Sequence, residues 1–217
     1  MSCSNLREIE LPPTISELPE NMFNRSGVTT VNLNNVTSLG ENAFYACPNL
    51  KNIDLKKIQY IKGNVFKNTL LLEKLILPNY IGGNTTTSWY ANSLAYGSRK
   101  LSLVDLGPNM LGIGQYIRYN NNSDYGYSMG SSGWSNVTVV FRSKNFVFVN
   151  SKNVLQHIWR CYCTEEMYDY LRNTNNNSYP NCIHIIGDEL WVSQFGSTDP
   201  YANLTPEEKA YYYPDAE

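Results

Sequence analysis

The chain is short of the residue patterns that announce chemistry. It has two histidines, His157 and His184, and no GxSxG, HExxH, phosphate loop ending in GKS or GKT, or GxGxxG between strand and helix. Hydrolase, zinc-protease and nucleotide-binding chemistries therefore lack a motif, and the expectation is a non-enzymatic protein with no cofactor and no catalytic or metal site. A basic surplus is missing too: 17 Lys and Arg stand against 19 Asp and Glu, a formal charge of −2. A nucleic-acid partner would lack its main electrostatic driving force. No run of about 18 apolar residues occurs, so membrane insertion is not expected. The opening Met1–Leu6 does not read as a secretory signal. Five cysteines are odd in number, and a domain this size requires no disulfide framework.

What is abundant is repetition. Leu6xxIle9xLeu11, Val28xxVal31xLeu33, Leu50xxIle53xLeu55 and Leu72xxLeu75xLeu77 share one spacing, and their anchors fall every 22 residues. The second half of each unit repeats as Ile15xxLeu18xxAsn21xPhe23, Val36xxLeu39xxAsn42AlaPhe44xxCys47 and Ile58xxIle61xxAsn64ValPhe66xxThr69. Alternation at the end of LxxIxL predicts one short strand per unit, and the three-residue steps that follow predict tight turns or short helical segments. Each unit has an apolar face that only its neighbours can cover, so the units stack into a solenoid. Phe23, Phe44 and Phe66 are expected in one buried column. Asn21, Asn42 and Asn64 recur where the backbone must bend, and a side-chain amide there can satisfy buried backbone groups. Successive strand residues alternate sides. Glu8, Thr30, Asn52 and Lys74 in one column, with Glu10, Asn32, Asp54 and Ile76 in the other, should therefore line an exposed ladder face.

The unit LxxIxL, IxxLxxNxF, xxC resembles the bacterial surface protein A type (BspA-like) leucine-rich repeats, best in Leu6 to Leu18, Gly40 to Leu50 and Leu75 to Pro78. Lys56 stands where the first and fourth units carry Pro, and Thr69 replaces Cys. Val137 to Lys144, Cys161 to Tyr170 and Cys182 to Ile186 resemble the family's usual C-terminal ending of strand, strand with helix, and final strand. The resemblance implies an α/β repeat, a strand-dominated leucine-rich-repeat solenoid with irregular insertions and a C-terminal cap. The expected division is about five repeats in 1–115 with an insertion at 79–100, an irregular loop at 116–136, C-terminal strands and a capping helix at 137–187, and an aromatic tail with a short helix at 188–217. The opening looks like the end of an earlier repeat, which suggests that missing repeats of a longer parent or a partner cover that end.

The irregular segments mix aromatics with Ser, Gly and Asn, a composition suited to recognition. Trp89, Tyr90, Tyr96, Tyr119, Tyr125, Tyr127 and Trp134 are the candidate partner-binding residues; the alternative is that they pack back on the solenoid. In the tail, Thr205, Pro206, Glu207 and Glu208 predict a short capped helix. The tail either packs on its own solenoid or docks to a partner. One metal constellation is open to consideration: Cys161, Cys163, Cys182 and His184 could converge on zinc if their strands were neighbours. Against it, the resemblance puts apolar residues at Cys161 and Cys163, and CxC is an unusual zinc spacing. The leading function is a recognition or adhesion module of a cell-surface or secreted bacterial protein, with a protein or glycan ligand on the solenoid face or inserted loops. The alternative is a structural or receptor-binding component of a larger assembly such as a phage virion.

Overall fold

The computed structural model describes residues 3–82, 94–95, 97–113, 135–148, 158–174 and 182–216. The repeats wind into a solenoid in which parallel strands of successive units lie side by side. The first ladder contains β1 (Glu8–Glu10) paired with β3 (Thr30–Asn32), and then a five-stranded sheet of β6 (Lys74–Leu77), β7 (Leu103–Leu106), β9 (Ser135–Phe141), β11 (Ile158–Cys163) and β12 (Ile183–Ile185), in that spatial order. Between these two groups lies the LxxIxL segment of the third unit, where the Lys51 carbonyl accepts the Glu73 N–H at 3.2 Å. A second ladder runs through β2 (Glu17–Leu18), β4 (Ser38–Leu39) and β5 (Tyr60–Ile61), continues by single bridges at Gly82 and Gly112, and ends in β8 (Gly112–Ile113) and β10 (Val147–Phe148). Every pairing is parallel, as winding in one direction requires.

The turn after the second strand forms a ladder of its own. N–H groups of Asn21, Phe23 and Arg25 donate to carbonyls of Glu41, Ala43 and Tyr45 at 2.9, 2.9 and 2.7 Å, and Asn42, Phe44 and Ala46 repeat this onto Gly63, Val65 and Lys67. Asn21, Asn42 and Asn64 have φ of 60°, 56° and 59°, and Arg25, Ala46 and Asn68, four residues on, are also left-handed. This explains the recurring asparagine: it is the residue after glycine that best tolerates that region. The backbone groups at the bend are satisfied by the next unit's backbone, while the Asn21 amide bonds the Glu20 carboxylate. Phe23, Phe44 and Phe66 stack in a buried column with ring centroids 5.3 and 5.6 Å apart.

The segment 79–100, irregular as a sequence, re-enters the solenoid before it ends. The Leu94 carbonyl accepts the Phe66 N–H at 3.0 Å, the position held by Val65 one unit earlier. Ala95 is therefore the next member of the phenylalanine column, Gly97 (φ 75°) takes the left-handed position of Asn68, and Ser98 matches Thr69. Ala and Gly in place of Phe and Asn hide the register from a pattern search.

Helix α1 (Glu165–Thr174) connects β11 to β12 and sends Met167 and Leu171 into the main core. The chain then forms α2 (Glu189–Phe195), capped by Asp188 on the Trp191 N–H and closed by left-handed Gly196, and α3 (Pro206–Tyr212). Thr205 and Glu208 make a reciprocal capping box around the start of α3. Its residues do not join the main core. A second cluster of Ile76, Leu103, Val140, Tyr162, Trp191, Leu204 and Tyr213 lies on the outer side of the first ladder.

Candidate recognition surface

The outward positions of the first ladder form two rows, set by strand register. One runs Glu8, Thr30, Asn52, Lys74, Leu103, Thr138, Arg160, and the other Glu10, Asn32, Asp54, Ile76, Asp105, Val140, Tyr162, His184. Over the first three units every outward residue is polar and exposed: Glu8, Glu10, Thr30, Asn32, Asn52 and Asp54. Two of them are held in place by their own turns, since Asn32 Oδ1 accepts the Asn34 N–H at 3.0 Å and Asp54 Oδ1 accepts the Lys56 N–H at 2.9 Å. From β6 onward Ile76, Leu103, Val140 and Tyr162 bring apolar side chains into the rows among Lys74, Asp105, Thr138, Arg160 and His184, and residues 188–216 lie over them. Ile76, expected on an exposed face, is only 5% exposed. The reason is the tail: Ile76 packs in the second cluster with Trp191 and Tyr213 rather than facing solvent.

The covered half is tied down by one polar centre. Arg142, just past β9, donates from Nε to Asp105 Oδ1 at 2.8 Å and from Nη2 to Asp105 Oδ2 at 2.6 Å. Both side chains are almost fully buried. Asp105 also accepts from Asn203 Nδ2 and from the Tyr213 hydroxyl, each at 2.8 Å, and Arg142 donates to the Pro200 carbonyl at 2.6 Å. The rings of Tyr201 and Tyr213 flank the guanidinium at 4.1 and 5.2 Å. Burial, together with the adjacent Asp105 carboxylate, pushes the Tyr213 phenol far above its ordinary range, so it remains a donor. Four donors occupy the two Asp105 oxygens, which leaves no lone pair directed at a substrate. Such a saturated network specifies a docking geometry rather than proton transfer.

Nearer β11, Gln194 on α2 accepts from Tyr162 at 2.7 Å and from Arg160, and donates to Thr138 at 3.3 Å. Trp191 is fully buried, edge-on to Tyr162, and donates to the Asp199 carbonyl at 3.1 Å. At the boundary with the open half, Glu208 of α3 pairs with Lys74 at 2.7 Å, the Tyr211 hydroxyl bonds Asp54, and Lys56 sits 4.4 Å from the Tyr211 ring.

The four residues weighed as zinc ligands do not converge. Cys161 and Cys163 pair in register with Ile183 and Ile185 and point into the main core, whereas His184 is opposite Tyr162 on the outer face, where the two rings are 5.8 Å apart. Burial pushes the Cys163 thiol up to about 12 and Cys182 to about 11, with Cys161 also raised well above its ordinary value, so these thiols stay protonated. Among the described residues no group of three or more His, Cys, Asp or Glu side chains could hold a metal. The loop aromatics Trp89, Tyr90, Tyr96, Tyr119, Tyr125, Tyr127 and Trp134 lie outside the described residues.

Residues 1–95 match the model of the BspA type leucine rich repeat region, in 6 copies. This part of the chain is a BspA-type leucine-rich repeat region. No curated protein matches the chain. Among solved structures, that of the pneumococcal vaccine antigen PcpA superposes with a TM-score of 0.58 at 17% identity, covering 82% of this chain and 41% of that one. The chain thus spans about two fifths of that protein's length, and the likeness is one of fold. It takes in more of the chain than the BspA-type repeats alone. Asp105, Arg142 and Asn203 were not singled out from sequence, whereas Trp191 and Tyr213 belong to the aromatic tail, which packs on its own solenoid. A signal existed in Leu75IleLeu77 and in Val137ThrValValPhe141, where an outward position is apolar, because strands covered on both faces read as near-continuous apolar runs.

Proposed function

We propose that this chain is a non-enzymatic recognition module of a cell-surface or secreted bacterial protein, and that it binds a protein partner across the open half of its first ladder. The observation that carries this reading is the contrast within one surface. Six outward residues over three units are polar, exposed and in part locked by their own turns, and the surface stops at α3. Pre-organised side chains lose little freedom on binding. The aromatics of the inserted loops, Trp89, Tyr90, Tyr96, Tyr119, Tyr125, Tyr127 and Trp134, supply the residue types that dominate interface energies and form the second part of the proposed surface. The BspA-type repeats and the fold shared with a pneumococcal antigen support display outside the cell, with adhesion as its use.

The test is binding of the purified chain to immobilised extracellular-matrix proteins and to epithelial cells. Two variant pairs divide the surface: Glu8→Lys with Glu10→Lys for the ladder, and Trp89→Ala with Trp134→Ala for the loops. Loss of binding in either pair with thermal unfolding nearly unchanged supports the reading. Binding that neither pair alters, or none to any surface tested, removes it.

A further inference from the structure

Residues 188–216 occupy the C-terminal half of the ladder as a ligand would. They are joined to the body only through Ile186 and Gly187, which is left-handed at φ 88°. Their apolar residues belong to the second cluster, and the sheet separates that cluster from the main core, so lifting the segment leaves the main core intact. Helix α3 fully buries none of its own residues: Glu208 pairs with Lys74, Tyr211 bonds Asp54, and Tyr212 packs half-buried against the edge of the second cluster. The buried ion pair does not oppose release either. Asp105 is on β7 and Arg142 follows β9, so both stay with the body and stay paired when the segment leaves, and no lone buried charge is created.

We propose that residues 188–216 form a releasable strap covering a second recognition surface on the same ladder, and that this surface fits an aromatic-bearing peptide segment. The strap defines the fit. Ile76, Leu103, Val140 and Tyr162 offer the apolar bed on which Trp191 now sits. Asp105 takes a hydroxyl and an amide, and Arg142 takes a backbone carbonyl while lying between two tyrosine rings. A partner must bring an indole or phenol together with those polar groups, and it competes with the strap, which lowers its apparent affinity by the fraction of time the surface is closed. This extends the proposed recognition function to a different part of the ladder and is tested separately from it.

Hydrogen exchange on the whole chain decides whether the strap opens as a unit. The amides of α2 and α3 are expected to exchange together and faster than those of Phe23, Phe44 and Phe66. Tyr213→Phe removes one hydrogen bond to Asp105 and keeps the ring; it should accelerate strap exchange by about tenfold or more and leave the phenylalanine-column amides unchanged. A fluorescently labelled peptide of residues 188–216 should bind the Tyr213→Phe chain saturably below about 1 mM and the unaltered chain more weakly. A single common exchange rate for strap and solenoid overturns the strap. Absence of peptide binding to the Tyr213→Phe chain overturns the recognition surface beneath it. Neither result bears on the Glu8 and Glu10 variants, which report on the open half away from α3.

Discussion

The hydroxyl of Thr69 donates to the carbonyl of Phe44, one unit earlier, at 2.9 Å in the core. Cys47 makes the same contact to the Phe23 carbonyl at 2.9 Å, and Ser98 makes it to the Phe66 carbonyl at 2.8 Å. The position therefore requires a small side chain with one donor, and Cys, Thr and Ser each qualify. Thr69→Val, equal in shape but without the donor, should cost about 1 to 3 kcal/mol by leaving a buried carbonyl unbonded. Thr69→Cys should cost less than Thr69→Val. Urea unfolding of the two variants checks this, and equal losses would mean that packing alone sets the position.

That column shows what a sequence discloses and what it withholds. The 22-residue interval and the phenylalanine column are legible because apolar spacing is imposed by stacking and each unit repeats the demand. The capping box of α3 is legible because Thr205, Pro206 and Glu208 act within one helical turn. The in-register return at Leu94 and Ala95 is not, since alanine and glycine satisfy the same backbone positions without the large side chains that mark them elsewhere. The fate of Ile76 is hidden for a different reason. Its exposure depends on Trp191 and Tyr213, more than a hundred positions away, and no local period carries such a contact. The polar character of Glu8, Glu10, Thr30, Asn32, Asn52 and Asp54, by contrast, is itself the mark of the uncovered half.

Phe44 lies between Phe23 and Phe66, nearly parallel to the latter at 6°, and is fully buried. Phe44→Ala should cost about 3 to 5 kcal/mol, since the stacked rings above and below cannot collapse into the space. A loss under about 1 kcal/mol in chemical denaturation would contradict the stacked column.

The Asp105–Arg142 pair should behave as a buried ion pair. Asp105→Asn strands a buried guanidinium and should cost about 3 to 5 kcal/mol. The double variant Asp105→Asn with Arg142→Met should be more stable than the single one, because no unpaired charge remains. Equilibrium unfolding of both provides the comparison, and a double variant less stable than Asp105→Asn would show that Arg142 contributes chiefly through its bonds to Pro200 and Asn203.

The five thiols should divide by burial. Cys3 is exposed, whereas Cys47, Cys161, Cys163 and Cys182 are buried. Ellman's reagent at pH 8 should titrate one thiol in the native chain and the other four only in denaturant, and a chelator should leave thermal unfolding unchanged. The same burial predicts a pH dependence. In the folded chain Cys163 is pushed up to about 12 and Cys161 is raised well above its ordinary value, while the unfolded thiols ionise near 8.5. Below that ordinary value both states hold their protons and stability is complete. As pH rises through about 9 the unfolded chain releases protons that the folded chain retains, so stability falls by up to about 1.4 kcal/mol per thiol per pH unit, levelling off only above the folded values. Cys161→Ala with Cys163→Ala should be less stable at neutral pH, because it opens space in the core, yet show a shallower fall between pH 9 and 11. An unchanged slope in that variant would assign the alkaline loss to other groups, such as the buried tyrosines.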